Sequence, residues 1–198
     1  MTAEAGPAGR EALILASASP QRRAILEQLG VAFEVRPADV TEETTGAPAA
    51  VALANAVRKA AAVAGGAPGR TVVGVDTLVA TEAGIRGKPA GEQEARAGLR
   101  HLAGRTHEVH SGLAVVEEGA TRTAAEVTRV TFRALNDAQL AWYVRAGEWR
   151  GRAGGYAIQG RGAALVRRIE GDYLNVVGLP VAALIDLLPA LLASGAGR

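Results

Sequence analysis

The sequence predicts an α/β fold with a mixed, twisted central sheet flanked by helices. Short apolar or β-branched runs alternate with segments of helical periodicity, and Gly or Pro separates most of them. Two long strand patterns are joined only by Glu117, Glu118 and Gly119, which indicates an antiparallel hairpin within the sheet. The 198 residues, 48% of them hydrophobic, suffice for one domain with a full core and allow two lobes around a cleft.

The predicted strands lie at 12–16, 71–79, 106–116, 122–132 and 164–169, and the predicted helices at 20–29, 48–64, 91–102, 136–146 and 180–193. The first helix has a clear start, because Ser19 is a favourable N-cap and Pro20 fits the first helical position. Gly30 supplies its end. The second helix is almost wholly Ala and Val. Pro180 and Pro189 interrupt the last apolar stretch, which favours a core helix over a membrane span.

We expect a flexible lead-in at residues 1–11, one catalytic domain of two lobes at 12–193 and a flexible tail at 194–198. The net charge is only +2 and no long basic run occurs, so duplex nucleic acid is not an expected partner. The chain lacks cysteine, which excludes thiol nucleophiles and disulfides. Together with an N-terminus that lacks the apolar core of a signal peptide, this predicts a cytoplasmic protein without a membrane partner.

The segment from Leu13 to Gly30 predicts a phosphate-binding site. A short apolar strand leads directly into a capped helix whose first turn presents free backbone N–H groups and the positive end of the helix dipole. Hydroxyl groups and fixed positive charge lie at the same point, supplied by Ser17, Ser19, Arg22 and Arg23. An ordinary capped surface helix with solvated arginines fits the same residues.

Asp76 is the candidate catalytic acid–base group, because it ends the strand-like run Thr71 to Thr77, where open α/β sheets bind ligands. An Asp after a strand also commonly caps the next turn. Lys88 follows in a short segment that can fold back and bring its ammonium beside the strand end. An ammonium there serves as a point charge for phosphate. A solvated loop lysine is the alternative.

The glycine-rich segment Gly151 to Gly162 allows backbone to approach a ligand closely, yet it matches neither a Walker A loop nor a dinucleotide fingerprint. Gln159 within it carries one donor and one acceptor, the pair that complements the imide edge of uracil or thymine. A glutamine that only satisfies loop backbone fits equally. The three histidines lack metal-ligand spacing, so we expect structural or solvated roles for them.

The motifs SASPQRR, GVDT, GKP, LAGRTHEVHSG, RAGGYAIQGRGA and NVVGLP occur here in order, and with them the chain resembles the Maf family of nucleoside triphosphate pyrophosphatases. The resemblance covers about 12–188. It implies a two-lobed fold similar to inosine triphosphate pyrophosphatases, with the nucleotide in the cleft. The implied reaction is hydrolysis of a nucleoside triphosphate to monophosphate and pyrophosphate with a divalent cation, Mg²⁺ or Mn²⁺. The Gly-Tyr-Ala-Ile-Gln-Gly form is similar to the branch that prefers dTTP and UTP.

The resemblance also assigns roles to residues. It makes Asp76 the proton acceptor, adds Lys59 to the phosphate-binding groups, and places Glu42 with Asp76 at the metal. Base choice falls on Gln21, Thr77 and Gln159; Gln21 departs from the usual Ser-Pro-Arg-Arg, which leaves the preferred base open. The sequence leaves two alternative functions open: a nucleotide-binding cell-division inhibitor and a pyrophosphatase for modified purine nucleotides. It also leaves open whether the protein forms a homodimer.

Overall fold

The computed structural model describes residues 12–192 and confirms the α/β fold with a mixed sheet. Seven strands form one sheet in the order β2-β1-β3-β5-β6-β7, with β4 paired to β3. The pairs β1–β2 and β1–β3 are parallel, and the others are antiparallel. The strands are β1 Leu13–Leu15, β2 Phe33–Val35, β3 Val72–Thr81, β4 Gly84–Arg86, β5 Thr106–Glu117, β6 Ala120–Phe132 and β7 Val166–Glu170.

The helices are α1 Pro20–Gln28, α2 Pro48–Ala64, α3 Glu92–Leu102, α4 Asp137–Ala146, α5 Tyr173–Val177 and α6 Val181–Leu187. Short 3₁₀ turns occur at Ala153–Gly155, Gly160–Leu165 and Pro189–Leu191. The expected helix at 180–193 is wrong in its extent, because Leu188 precedes a proline and adopts an extended φ of −134°. Residue 193, the lead-in at 1–11 and the tail at 194–198 lie outside the described residues.

Two buried clusters lie on opposite faces of β1, as strand alternation requires. Leu13 and Leu15 pack with α1 and α6, whereas Ile14 packs with the alanines of α2. A third cluster occupies the far end of the long strands, where Val79 and Val109 pack with α3, α4 and the glycine-rich segment. The cluster around Leu15 and the cluster around Val79 are therefore two packing centres along one continuous sheet.

Helix α2 lies unusually close to the sheet because glycines face it. A Cβ built on Gly74 would lie 2.2 Å from the Ala56 carbonyl oxygen, and one built on Gly112 would lie 2.3 Å from that of Ala52. Both glycines are therefore required for this helix to sit where it does. This close packing brings the polar side chains of α2 onto the middle of β3.

No helix among residues 12–192 combines the length and apolar character that crossing a bilayer requires.

His107 is a buried structural histidine, as expected from its spacing. It is 2% exposed, and its Nε2 lies 2.8 Å from the Tyr156 hydroxyl oxygen. The ring contacts Phe132 and Tyr156 edge-on, at centroid distances of 5.0 and 5.4 Å. Burial lowers the pKa of His107 to about 4, so the folded protein holds the imidazole neutral.

We expect this histidine to make stability depend on pH. The pKa of His107 is about 4 in the folded protein, whereas an exposed histidine has a pKa of 6.5. The stabilisation that comes from burying the neutral ring is therefore complete above pH 6.5 and declines as the pH falls toward 4. The loss reaches about 3 kcal/mol at pH 4. The glutamine of the His107→Gln variant is neutral at every pH. We therefore expect urea denaturation to show a correspondingly smaller loss of unfolding free energy between pH 7 and pH 4 in this variant. Identical pH slopes for both proteins would contradict this.

Candidate active site

A cleft of about 910 Å³ lies between the packing centres, within the usual size range of ligand sites. Its lining combines the start of α1, the loop before α2, the middle of β3, the segment after β4 and the glycine-rich segment. The predicted site residues found in this lining are Ser17, Ser19, Gln21, Arg22, Glu42, Lys59, Asp76, Thr77, Lys88 and Gln159. The fold thus brings together groups that span most of the sequence.

Asp76 lines the cleft and is 5% exposed. Lys59 on α2 donates from Nζ to Asp76 Oδ1 at 2.7 Å, and the same Nζ forms an ion pair with Glu42 Oε1 at 2.5 Å. One ammonium therefore lies between two carboxylates. Asn55, one helical turn before Lys59, donates from Nδ2 to Asp76 Oδ2 at 3.0 Å. Each carboxylate oxygen of Asp76 thus has a donor of its own.

Arg22 is fixed by protein groups beside this centre. Its Nε donates to the Gly178 carbonyl at 2.9 Å, one Nη to Ser17 Oγ at 2.7 Å and the other to Thr77 Oγ1 at 3.2 Å. Burial lowers the pKa of Arg22, while the nearby charges of Asp76 and Glu42 raise it. A guanidinium has five N–H donors, so donors remain for an anion in the cleft.

The start of α1 has the capped geometry that the sequence predicts. The Ser19 hydroxyl oxygen accepts from the Arg22 backbone N–H at 3.5 Å and donates to Gln21 Oε1 at 3.2 Å. Ser17 Oγ accepts from the Ser19 backbone N–H at 3.3 Å. The positive end of the helix dipole therefore faces the cleft, among hydroxyl groups.

Arg23 is the one predicted phosphate-binding residue that the structure does not bring into the cleft lining. Its Nε lies 3.5 Å from Glu27 Oε1, one helical turn further along α1, and both side chains are exposed. Consecutive residues on a helix do not share a face, so Arg22 and Arg23 cannot both point at the same site.

Lys88 and Gln159 also line the cleft. The segment around Gln159 is anchored on both sides. The Ala157 backbone N–H donates to the Tyr143 hydroxyl at 2.9 Å, and the Glu148 carboxylate accepts the N–H groups of Arg161 and Gly162 at 3.1 Å each.

Burial raises the pKa of Tyr143 to about 12, so its hydroxyl stays neutral at physiological pH. Gln159 itself is exposed to the cleft. Its amide is therefore presented to a ligand from a fixed backbone.

Comparison with known proteins identifies the family of this chain. The family model for Maf-like proteins matches residues 12–191. The chain belongs to the Maf family. A dTTP/UTP pyrophosphatase of Gloeobacter violaceus is 48% identical over 178 residues, covering 89% of this Maf chain and 94% of the relative. Proteins of the same name from Deinococcus radiodurans and Pyrococcus furiosus are 44% and 43% identical, and the alignments cover 95% and 93% of those relatives.

The acidic groups of this Maf protein fit a metal shared with a substrate better than a metal held by protein alone. Within residues 12–192, no group of three or more His, Cys, Asp or Glu side chains is placed to hold a metal ion. Glu42 and Asp76 nevertheless approach the same ammonium. Two carboxylates completed by substrate phosphate oxygens form a usual set of ligands for Mg²⁺.

Sequence reasoning missed several polar residues of the Maf site. Asn55 and Ser111 are fully buried, and the Ser111 hydroxyl lies 2.9 Å from Thr77 Oγ1. Asn55 had a signal in the sequence, since it is a polar residue four positions before Lys59 on an almost apolar helix. Ser111 and Glu148 carry no comparable local signal.

Proposed function

We propose that this Maf protein hydrolyses dTTP and UTP to the nucleoside monophosphate and pyrophosphate. The observation that carries the proposal is the position of Asp76. It lines the same cleft as a helix N-terminus that suits phosphates and a glutamine on an anchored segment that suits a pyrimidine base. The names of the curated relatives support the same reaction and the same bases.

Asp76 acts as the general base in this proposal. Each of its oxygens accepts one hydrogen bond from the protein, and the remaining lone pairs can accept the proton of a water molecule. The water oxygen bonds to the α-phosphorus, the proton passes to Asp76, and the bond from the α-phosphorus to the bridging oxygen breaks. Pyrophosphate leaves with the electron pair.

The cations of the cleft stabilise the charge that develops during this step. Arg22, Lys88 and the N-terminus of α1 line the cleft and supply fixed positive potential. Arg22 needs little rearrangement, because three protein acceptors already hold its guanidinium. A preorganised charge of this kind costs no reorganisation at the moment of reaction.

Glu42 and Asp76 would hold a divalent cation, Mg²⁺ or Mn²⁺, together with the triphosphate. Such an ion neutralises phosphate charge and orients the chain of phosphates. Lys59 forms ion pairs with both carboxylates and keeps them close together before the substrate arrives.

Gln159 selects the base in this proposal. We expect Gln159→Leu to lower kcat/KM for UTP by about 10- to 100-fold, because the leucine leaves the imide edge of the base without partners. Activity toward inorganic tripolyphosphate, which has no base, should change little. Measured steady-state rates for UTP and tripolyphosphate test this, and an equal loss on both would contradict it.

One assay panel tests the function itself. The protein is incubated with single nucleoside triphosphates and Mg²⁺ in H₂¹⁸O, and monophosphate, pyrophosphate and orthophosphate are measured separately. The proposal requires turnover of dTTP and UTP with ¹⁸O in the monophosphate. Label in the pyrophosphate would place the attack at the β-phosphorus, orthophosphate would indicate a phosphatase, and binding without turnover would favour a regulatory protein.

A further inference from the structure

Asn55 is a fully buried polar residue in a helix made almost wholly of Ala and Val. All of its hydrogen-bonding capacity is used. Nδ2 donates to Asp76 Oδ2 at 3.0 Å and to the Glu43 carbonyl at 2.9 Å. Oδ1 accepts from the Glu43 backbone N–H at 2.8 Å and from the Arg58 guanidinium at 3.1 Å.

These partners fix the orientation of the amide. Asp76 Oδ2, when ionised, and the Glu43 carbonyl can only accept, so both must face Nδ2. The Glu43 N–H and the Arg58 guanidinium can only donate, so both must face Oδ1. A flipped amide would place oxygen against oxygen at two contacts. Asn55 therefore binds the loop backbone and the Asp76 carboxylate at the same time, in one geometry.

The loop in question, residues 39–43, carries Glu42 and is largely exposed. Three side chains of one face of α2 hold it, namely Asn55, Arg58 and Lys59. Of these three, Asn55 and Lys59 also contact Asp76. Lys59 is an ammonium on a flexible stem, whereas the amide of Asn55 is planar and short. Asn55 is thus the more rigid of the two connections.

We propose that Asn55 is a positioning residue that sets the direction of the Asp76 carboxylate and its distance from Glu42. This inference rests on the proposed function. General-base catalysis depends on the direction of the carboxylate lone pairs, and a misplacement of about 1 Å can lower a rate on the order of 100-fold. Asn55 does not line the cleft, so it acts through Asp76 and the loop and not on the substrate.

The test compares Asn55→Leu and Asn55→Ala with Arg58→Ala. Leucine retains much of the volume, and alanine suits a helix already rich in alanine, so the two variants place different demands on folding. Arg58 is the matched control, because it holds the same loop through the Thr41 carbonyl and Glu43 Oε1, and its removal still leaves Asn55 Oδ1 the Glu43 backbone N–H as a donor. Wild-type protein, assayed with dTTP in parallel, tests the proposed function separately.

We expect both Asn55 variants to lower kcat about 10- to 100-fold while KM stays within about threefold. Arg58→Ala should keep kcat within about threefold of wild type. Hydrogen exchange should show that the Glu43 amide loses protection in the Asn55 variants. Thermal melts establish that each variant is folded at the assay temperature.

Three results would overturn the inference. The first is a wild-type kcat in either folded Asn55 variant. The second is an equal loss of kcat in Arg58→Ala, which would show that holding the loop is the whole effect. The third is a rise in KM with kcat unchanged. If the wild-type protein turns over no dTTP, the proposed function is wrong. If the wild-type protein and the Asn55 variants are all active, only the proposed role of Asn55 is wrong.

Discussion

Replacing Asp76 with asparagine is expected to lower kcat for dTTP by about 10²- to 10⁴-fold, the usual contribution of a general base. The amide has nearly the same shape but cannot take a proton from water. Lys59 keeps Glu42 as a partner, so its ammonium is not left buried without a counter-charge. We therefore expect a folded protein that binds nucleotide and does not turn it over.

The measurement is pyrophosphate release under saturating dTTP, combined with a thermal melt and a binding titration. Asp137→Asn is the matched control, since Asp137 is an exposed carboxylate that pairs with Arg100 at the start of α4. It should leave kcat unchanged. A fully active Asp76→Asn protein would remove the general base from the mechanism.

Gly112→Ala is expected to lower the free energy of unfolding by about 3 kcal/mol. The added Cβ would lie 2.3 Å from the Ala52 carbonyl oxygen and 2.5 Å from the Leu53 Cα, and both are backbone atoms that cannot rotate away. Helix α2 must therefore move off the sheet. Gly112 pairs with Asp76 across β3 and β5, so the same movement separates Asp76 from Asn55 and Lys59. Activity should fall with stability.

Urea denaturation gives the change in the free energy of unfolding. Gly65→Ala is the control, because Gly65 ends α2 in a right-handed helical conformation and a Cβ there would meet its nearest neighbour at 3.8 Å. That substitution should be neutral or slightly stabilising. An unaltered midpoint for Gly112→Ala would show that α2 adjusts without cost.

Most of the fold could be predicted because its main elements carry strong local signals. The capped start of α1, the alanine-rich α2 and the long hairpin of β5 and β6 were all expected and are confirmed. Strands β2 and β4 have three residues each, too few for a periodic pattern, and α5 has only five. Their conformations depend on pairing and packing partners that are distant in the sequence.

The members of the candidate site were predicted better than their arrangement. Ten of the predicted residues line the cleft, since their motifs follow strand ends and helix starts. Arg23 was selected for its charge, but the direction of a helical side chain decides its contacts. Asn55 stands out in the sequence as a polar residue on an almost apolar helix, but its partner Asp76 does not follow from that pattern. Ser111 was missed because the need for a buried polar partner is visible only once Thr77 has its neighbours.

Strands β3 and β5 run unbroken through both packing centres. Val75 and Leu113 belong to one centre, and Val79 and Val109 to the other. The region between these centres is therefore crossed by one continuous pair of strands. Asp76 and Gly112 form a cross-strand pair there, so the backbone hydrogen bonds of the sheet set the position of this carboxylate relative to either centre.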